Sequence, residues 1–204
     1  IGTVDSTDVN TSTTVLFGLQ PGVSYLLSAA AICDSGAHLS DIVSTEFVTD
    51  CDTVTHADLP FTETFNAATL STCWSVLSAG SNDVRLDTLQ HGSSGRSLLL
   101  SYDPLDPPAF AVMPVVDTLA GIDLTFWTYR RSYDNSMLIV GVLANPTDTT
   151  TFTPVDTLSL AAGWQHQQIS FDGFTDAGHH IAFRASSTDS TWFNILYLDD
   201  VSLT

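Results

Sequence analysis

The chain has 204 residues, 44% of them hydrophobic, which is enough apolar mass for one large or two modest cores. Five basic residues, all arginine, face 23 acidic ones, of which only Glu46 and Glu63 are glutamate, and the formal charge is -18. Such a chain cannot neutralise a run of phosphates, which excludes a nucleic-acid partner and argues against an anionic membrane surface.

Glu, Lys and Arg, the usual fillers of helix surfaces, are nearly absent, while Ser, Thr, Val, Leu and Phe abound. That bias predicts an all-β protein of strands joined by Asp-rich turns. No apolar stretch is long enough to cross a bilayer, so no membrane insertion is expected. No signal segment is visible either. The abrupt start at Ile1 reads as that of a piece of a longer exported polypeptide, whose further domains would be its constant partners.

Residues 14–49 predict strand, corner, strand, loop and strand. The stretch Thr14-Val-Leu-Phe-Gly-Leu-Gln-Pro-Gly-Val-Ser-Tyr25 resembles a passage of fibronectin type III domains in which the Tyr makes a corner hydrogen bond to upstream backbone. The resemblance covers only the C-terminal half of such a domain, here residues 1–52, and implies strands over 25–32 and 42–49. A half sandwich leaves its core face uncovered. Residues 53–59 are expected to be a linker.

The three cysteines sort by geometry. In an antiparallel hairpin of residues 25–33 and 42–49, Cys33 lies near the loop end and Cys51 just past the opposite end, ~25–30 Å away. A disulfide needs Cα atoms within about 7 Å, so that pair is excluded. Cys51 and Cys73 both lie near the seam between the two regions, and their pairing is the expectation, with three free thiols as the alternative.

Residues 60–204 predict one continuous β domain. Its opening, Pro60-Phe-Thr-Glu-Thr-Phe65, alternates Phe61, Glu63 and Phe65 on one face, and Thr72-Cys-Trp-Ser-Val76 follows. Its close reads Trp164-Gln-His-Gln-Gln-Ile-Ser-Phe-Asp-Gly-Phe174, His180-Ile-Ala-Phe-Arg-Ala185 and Leu196-Tyr-Leu-Asp-Asp-Val-Ser-Leu203. Opening and close together resemble the cleaved-adhesin, MAM-like (galactose-binding-like) jelly rolls of surface and secreted bacterial proteins. The resemblance implies a jelly-roll β-sandwich in an extracellular protein. It also implies that Trp74, Trp164, Phe171 and Phe183 are core.

The resemblance further implies a structural calcium site where the first and last strands meet, with Glu63, Asp199 and Asp200 at the matching positions. A hard cation would resolve the cost of carboxylates among apolar neighbours. Strand alternation places Asp199 and Asp200 on opposite faces, with Asp200 slightly preferred as the ligand. The alternative is that these acids sit in water at strand ends or accept hydrogen bonds from Arg184.

A binding platform is the second expectation. In Leu124-Thr-Phe-Trp-Thr-Tyr-Arg-Arg131, Trp127, Tyr129 and Arg131 share the face opposite Phe126. Arg184, out of phase with Ile181 and Phe183, is expected to join them. Outward aromatics there would stack on sugar rings or anchor a protein partner. Cross-strand packing is the alternative. Trp192 is a candidate loop contact. Gly92-Ser-Ser-Gly95 is too short for a nucleophile elbow, and His179-His180 point to opposite faces, so no catalytic residue is expected.

Two readings follow: a calcium-stabilised adhesin-like or carbohydrate-binding accessory module that meets a host or environmental glycan or surface protein, and a purely structural spacer. Accessible Trp127 and Tyr129 favour the first; burial, or a loop over them, favours the second.

Overall fold

The computed structural model describes residues 8–9, 13–33, 38–89, 91, 95–175, 178–188 and 193–204. The chain divides into two compact units, residues 1–52 and 53–204.

In the first unit, β1 (Ser24–Ala29) pairs antiparallel with β4 (Val43–Val48), placing Tyr25 opposite Phe47. Between them, the two-residue strands β2 (Ile32–Cys33) and β3 (His38–Leu39) pair with each other. The Pro21-Gly22 turn feeds β1, with Gly22 at φ +63°, where a side chain would be strained. Tyr25 then reaches back, and its hydroxyl accepts the Gln20 N–H at 2.8 Å. Thr49 closes the same corner by donating to the Gln20 carbonyl at 2.6 Å. Tyr25, Leu27 and Ala29 share one face with Val43, Thr45 and Phe47. Tyr25 is buried, but Leu27 is 42% and Val43 72% exposed, as two strands cannot cover an apolar face.

The second unit is a sandwich of two sheets. One has the order β13 (Gly163–Ser170), β10 (Asp123–Arg130), β15 (Asn194–Leu203), β8 (Ser97–Tyr102), β7 (Val84–Asp87), with β5 (Phe61–Glu63) beside the far end of β15. The other runs β12 (Phe152–Ser159), β11 (Ser136–Leu143), β14 (His180–Ser187), β9 (Phe110–Val112), β6 (Ser75–Leu77). All strand pairs within the two sheets are antiparallel. Alternate residues of facing strands, Leu124 and Phe126, Leu138 and Val140, Ile181 and Phe183, Leu196 and Leu198, close the core at 0% exposure. Trp74 joins it between Phe65 and Phe183.

In this unit, three strands were not evident from the sequence. β7 and β9 are only four and three residues long, too short to show a period. β12 carries Pro154 and Asp156, which suit an edge strand and blunt its signal. Residues 53–59, expected as a linker, are tied into this unit through Val54. Val54 is buried, donates to the Val115 carbonyl and accepts from Asp117 N. Cys51 and Cys73 are both disulfide-bonded. No helix among the described residues is long and apolar enough to cross a membrane.

Candidate functional site

The outer face of the six-stranded sheet carries the unusual chemistry. With Leu124, Phe126 and Thr128 turned inward, Trp127 and Tyr129 must turn outward. Register then builds two transverse rows over β13, β10 and β15: His166, Trp127, Asp199 and, beside it, Trp164, Tyr129, Tyr197. Tyr129 lies 5.4 Å from Trp164 and 5.9 Å from Tyr197 between ring centroids, in tilted and edge-on contacts. Trp127 meets His166 edge-on at 5.3 Å. Arg131 extends the second row, donating to the Tyr197 hydroxyl at 3.1 Å and the Tyr133 hydroxyl at 3.2 Å.

Asp199 closes the first row at 2% exposure. Two backbone amides hold it: His91 N donates to Oδ2 at 2.8 Å, and Asp200 N to Oδ1 at 2.9 Å. Burial nevertheless pushes its pKa up to about 6, against the lowering effect of those donors. The expected placement of Asp199 and Asp200 on opposite faces does not hold. Asp200 sits at φ +48°, and the β10–β15 register shifts between Thr125 and Trp127, the signature of a bulge that inserts one extra residue. Inward packing resumes at Val201. Both acids thereby meet one residue: His91 Nδ1 lies 2.8 Å from Asp200 Oδ2.

His91 also covers Trp127. Their rings stack at 3.9 Å and 16°, and the His91 ring meets Trp164 edge-on at 5.4 Å. Trp127 and Tyr129 are therefore partly buried rather than bare, while His166 is exposed. The accessible surface is a composite of His91, His166 and the edges of Trp164, Trp127 and Tyr129.

The remaining expected site residues are placed as follows. Glu63, on β5, is partly buried and pairs with Val201, the neighbour of Asp200. Its Oε1 accepts the Phe65 N–H at 2.8 Å, holding the turn that buries Phe65. Among the described residues, no three His, Cys, Asp or Glu side chains gather where they could hold a metal ion. Arg184 does not join the Trp127 face, because β14 belongs to the other sheet. Its guanidinium lies 5.8 Å from the Phe110 ring and 5.5 Å from Phe152. Trp192 lies outside the described residues.

Trp164, expected in the core, is on the outer face. Counting back in twos from buried Ile169 puts Gln167 and Gln165 inward and Trp164 outward. An inward Gln is acceptable on this edge strand because Gln167 Nε2 reaches Thr128 Oγ1 at 3.2 Å. Sequence reasoning could have found Trp164 and Tyr197 by strict alternation. Nothing local announces His91, which meets Asp199 from 108 residues away.

No protein-family model matches the chain, and no curated protein matches it. Solved structures do match its fold. A cleaved adhesin domain of Lys-gingipain from Porphyromonas gingivalis superposes with a TM-score of 0.57 at 16% identity, over 71% of this chain and 96% of that one. A second cleaved adhesin domain of the same gingipain gives 0.53 at 19% identity, over 71% and 98%. The CBM22–GH10 modules of a Clostridium thermocellum endo-1,4-β-D-xylanase, solved with xylohexaose, give 0.50 at 14% identity over 70% of this chain and 27% of that one. At these identities the likeness shows the fold: a β-sandwich of the kind used by adhesin and carbohydrate-binding domains.

Proposed function

We propose that the chain is a non-catalytic, exported, adhesin-like binding module that holds a glycan or surface protein against the outer face of its six-stranded sheet. The observation that carries this is the pair of transverse rows, which gathers Trp127, Tyr129, Trp164 and Tyr197 with Arg131 on one outer face. Trp127, Tyr129 and Trp164 keep partly accessible ring surface beside polar tips, which can stack on sugar rings, while Tyr197 is buried and supports them. The sandwich likeness to cleaved adhesin and carbohydrate-binding domains supports the reading. A glycan array comparing wild type with Trp127→Ala tests it, and binding that persists unchanged in the variant sinks the platform.

The spacer reading has one specific observation in its favour, the His91 ring stacked over Trp127. Array binding by neither protein would favour it.

Calcium remains part of the proposal, at Glu63 with Asp199 or Asp200. Both Asp199 oxygens accept backbone amides, whereas Glu63 Oε2 and Asp200 Oδ1 have no hydrogen bond among the described residues. Two such oxygens are a partial set for a cation that takes six to eight, so main-chain carbonyls would supply the rest. Melting with and without chelator tests the site; an unchanged midpoint counts against it. We also propose that Cys51 pairs with Cys73, which peptide mapping under non-reducing conditions checks. The closed loop would stabilise the fold by about 3 kcal/mol.

A further inference from the structure

The end of the sandwich, where the β10–β11 turn meets the end of β14, holds a cavity of about 130 Å³. Its polar lining is Arg130, Asn135, Ser136, Ser159 and Thr188, and Met137 and Leu160 supply an apolar wall. Pockets for drug-sized ligands are several times larger. A group the size of one sugar residue is the most it takes.

The hydrogen-bonding capacity left at this cavity is specific. Arg130 Nη1 donates to the carbonyls of Arg131 and Asp134, and Ser136 Oγ donates to the Ile195 carbonyl at 3.1 Å. The Asn135 carboxamide and the Ser159 and Thr188 hydroxyls make no hydrogen bond among the described residues. Each of these three can both donate and accept, as a sugar hydroxyl can. At this turn the buried Asp134 Oδ2 and Arg130 Nε have no hydrogen-bond partner among the described residues, and the chain's formal charge of -18 disfavours an anionic sugar. Two exposed rings neighbour this region in the chain: Tyr133 (74%), two residues before Asn135, and Phe193 (56%), next to Asn194, whose Oδ1 accepts the Asn135 N–H at 3.0 Å.

We infer that this cavity is a second binding site, which takes one neutral pyranose residue at the end of a glycan. Asn135, Ser159 and Thr188 would hold its hydroxyls, and Met137 and Leu160 its C–H face. This extends the carbohydrate-binding reading to a place separate from the Trp127 rows. A cavity with room for one residue suits chain termini, whereas the extended rows suit chain interiors.

Saturation-transfer NMR on the full chain tests this, with free glucose, galactose, mannose, xylose and N-acetylglucosamine as neutral probes and glucuronate and galacturonate as charged ones. At least one neutral sugar should receive saturation from wild type and from Trp127→Ala. Ser159→Trp and Thr188→Trp, which plug the mouth, should weaken that sugar at least about tenfold. Both positions are exposed, so the plugs should leave the melting midpoint in place, and either one that folds suffices for the test. Transfer to no neutral sugar, transfer that survives the plug, or transfer to the uronates alone would each overturn the assignment. Failure of the Trp127 platform shows separately, as an oligosaccharide signal indifferent to Trp127→Ala.

Discussion

The inner and outer faces of β10 and β15 are built from alternate residues of the same strands, yet they do opposite things. Inside, Leu124, Phe126, Leu196 and Leu198 are fully buried and packed against the second sheet. Outside, Trp127 and Tyr129 are partly buried, while Tyr197 and Asp199 are buried, the former packed with Leu99 and Ile195 and the latter a carboxylate that no packed core would tolerate unaided. The inner face contributes stability through area and shape. The outer face retains polar capacity and partly accessible aromatic surface, on which the proposed binding role rests. In the first unit, by contrast, Leu27 and Val43 on one face of the β1–β4 pair are exposed.

The comparison can be broken most sharply from inside. Phe126→Ala should cost about 3–5 kcal/mol in chemical denaturation, because the cavity it leaves cannot collapse between two sheets. A loss no larger than a surface substitution would mean that the inner face is not the stabilising one. On the outside, Trp127→Ala should weaken glycan binding by about tenfold or more with a far smaller change in stability. If stability fell as far as in Phe126→Ala, the rows would be a second core, not a platform.

Asp199 offers a finer test. Burial raises its pKa from 3.8 to about 6, so the folded chain takes up this proton more readily than the unfolded one. Its contribution is therefore fully present below about pH 4 and is lost as pH rises towards 6. Burial raises Asp134 as well, so the total curve mixes groups, and the difference between wild type and Asp199→Asn isolates this one. That difference should slope between those pH values and be flat above; a flat line throughout would remove the special status of Asp199. The smallest effect is expected from His91→Ala, which uncovers Trp127. It should raise Trp127 accessibility to a fluorescence quencher while leaving the melting midpoint nearly in place, and unchanged quenching would show that His91 is not the cover.

Much of the sandwich was legible because a strand buried on one face repeats every two residues. The inward set Leu124, Phe126, Ile181 and Phe183 follows from that rule, as does the outward set Trp127, Tyr129 and Arg131. The corner at Tyr25 was legible for a different reason: its Gln20 hydrogen bond spans five residues. Trp164 was misplaced because its position in the resembled family was weighed above phase. Asp200 was misplaced because a bulge adds a residue that no alternation rule anticipates.

By itself the sequence determined an all-β chain with a strongly acidic surface, the strands that alternate clearly, and which residues of β10 face outward. These are local properties, set by side-chain period and composition. Tertiary structure alone decided that Arg184 sits on the other sheet, that His166 and Tyr197 complete the rows, and that His91 bridges Asp199, Asp200 and Trp127. Strand order and long loop returns bring together residues a hundred positions apart, and no local preference encodes which strand becomes whose neighbour.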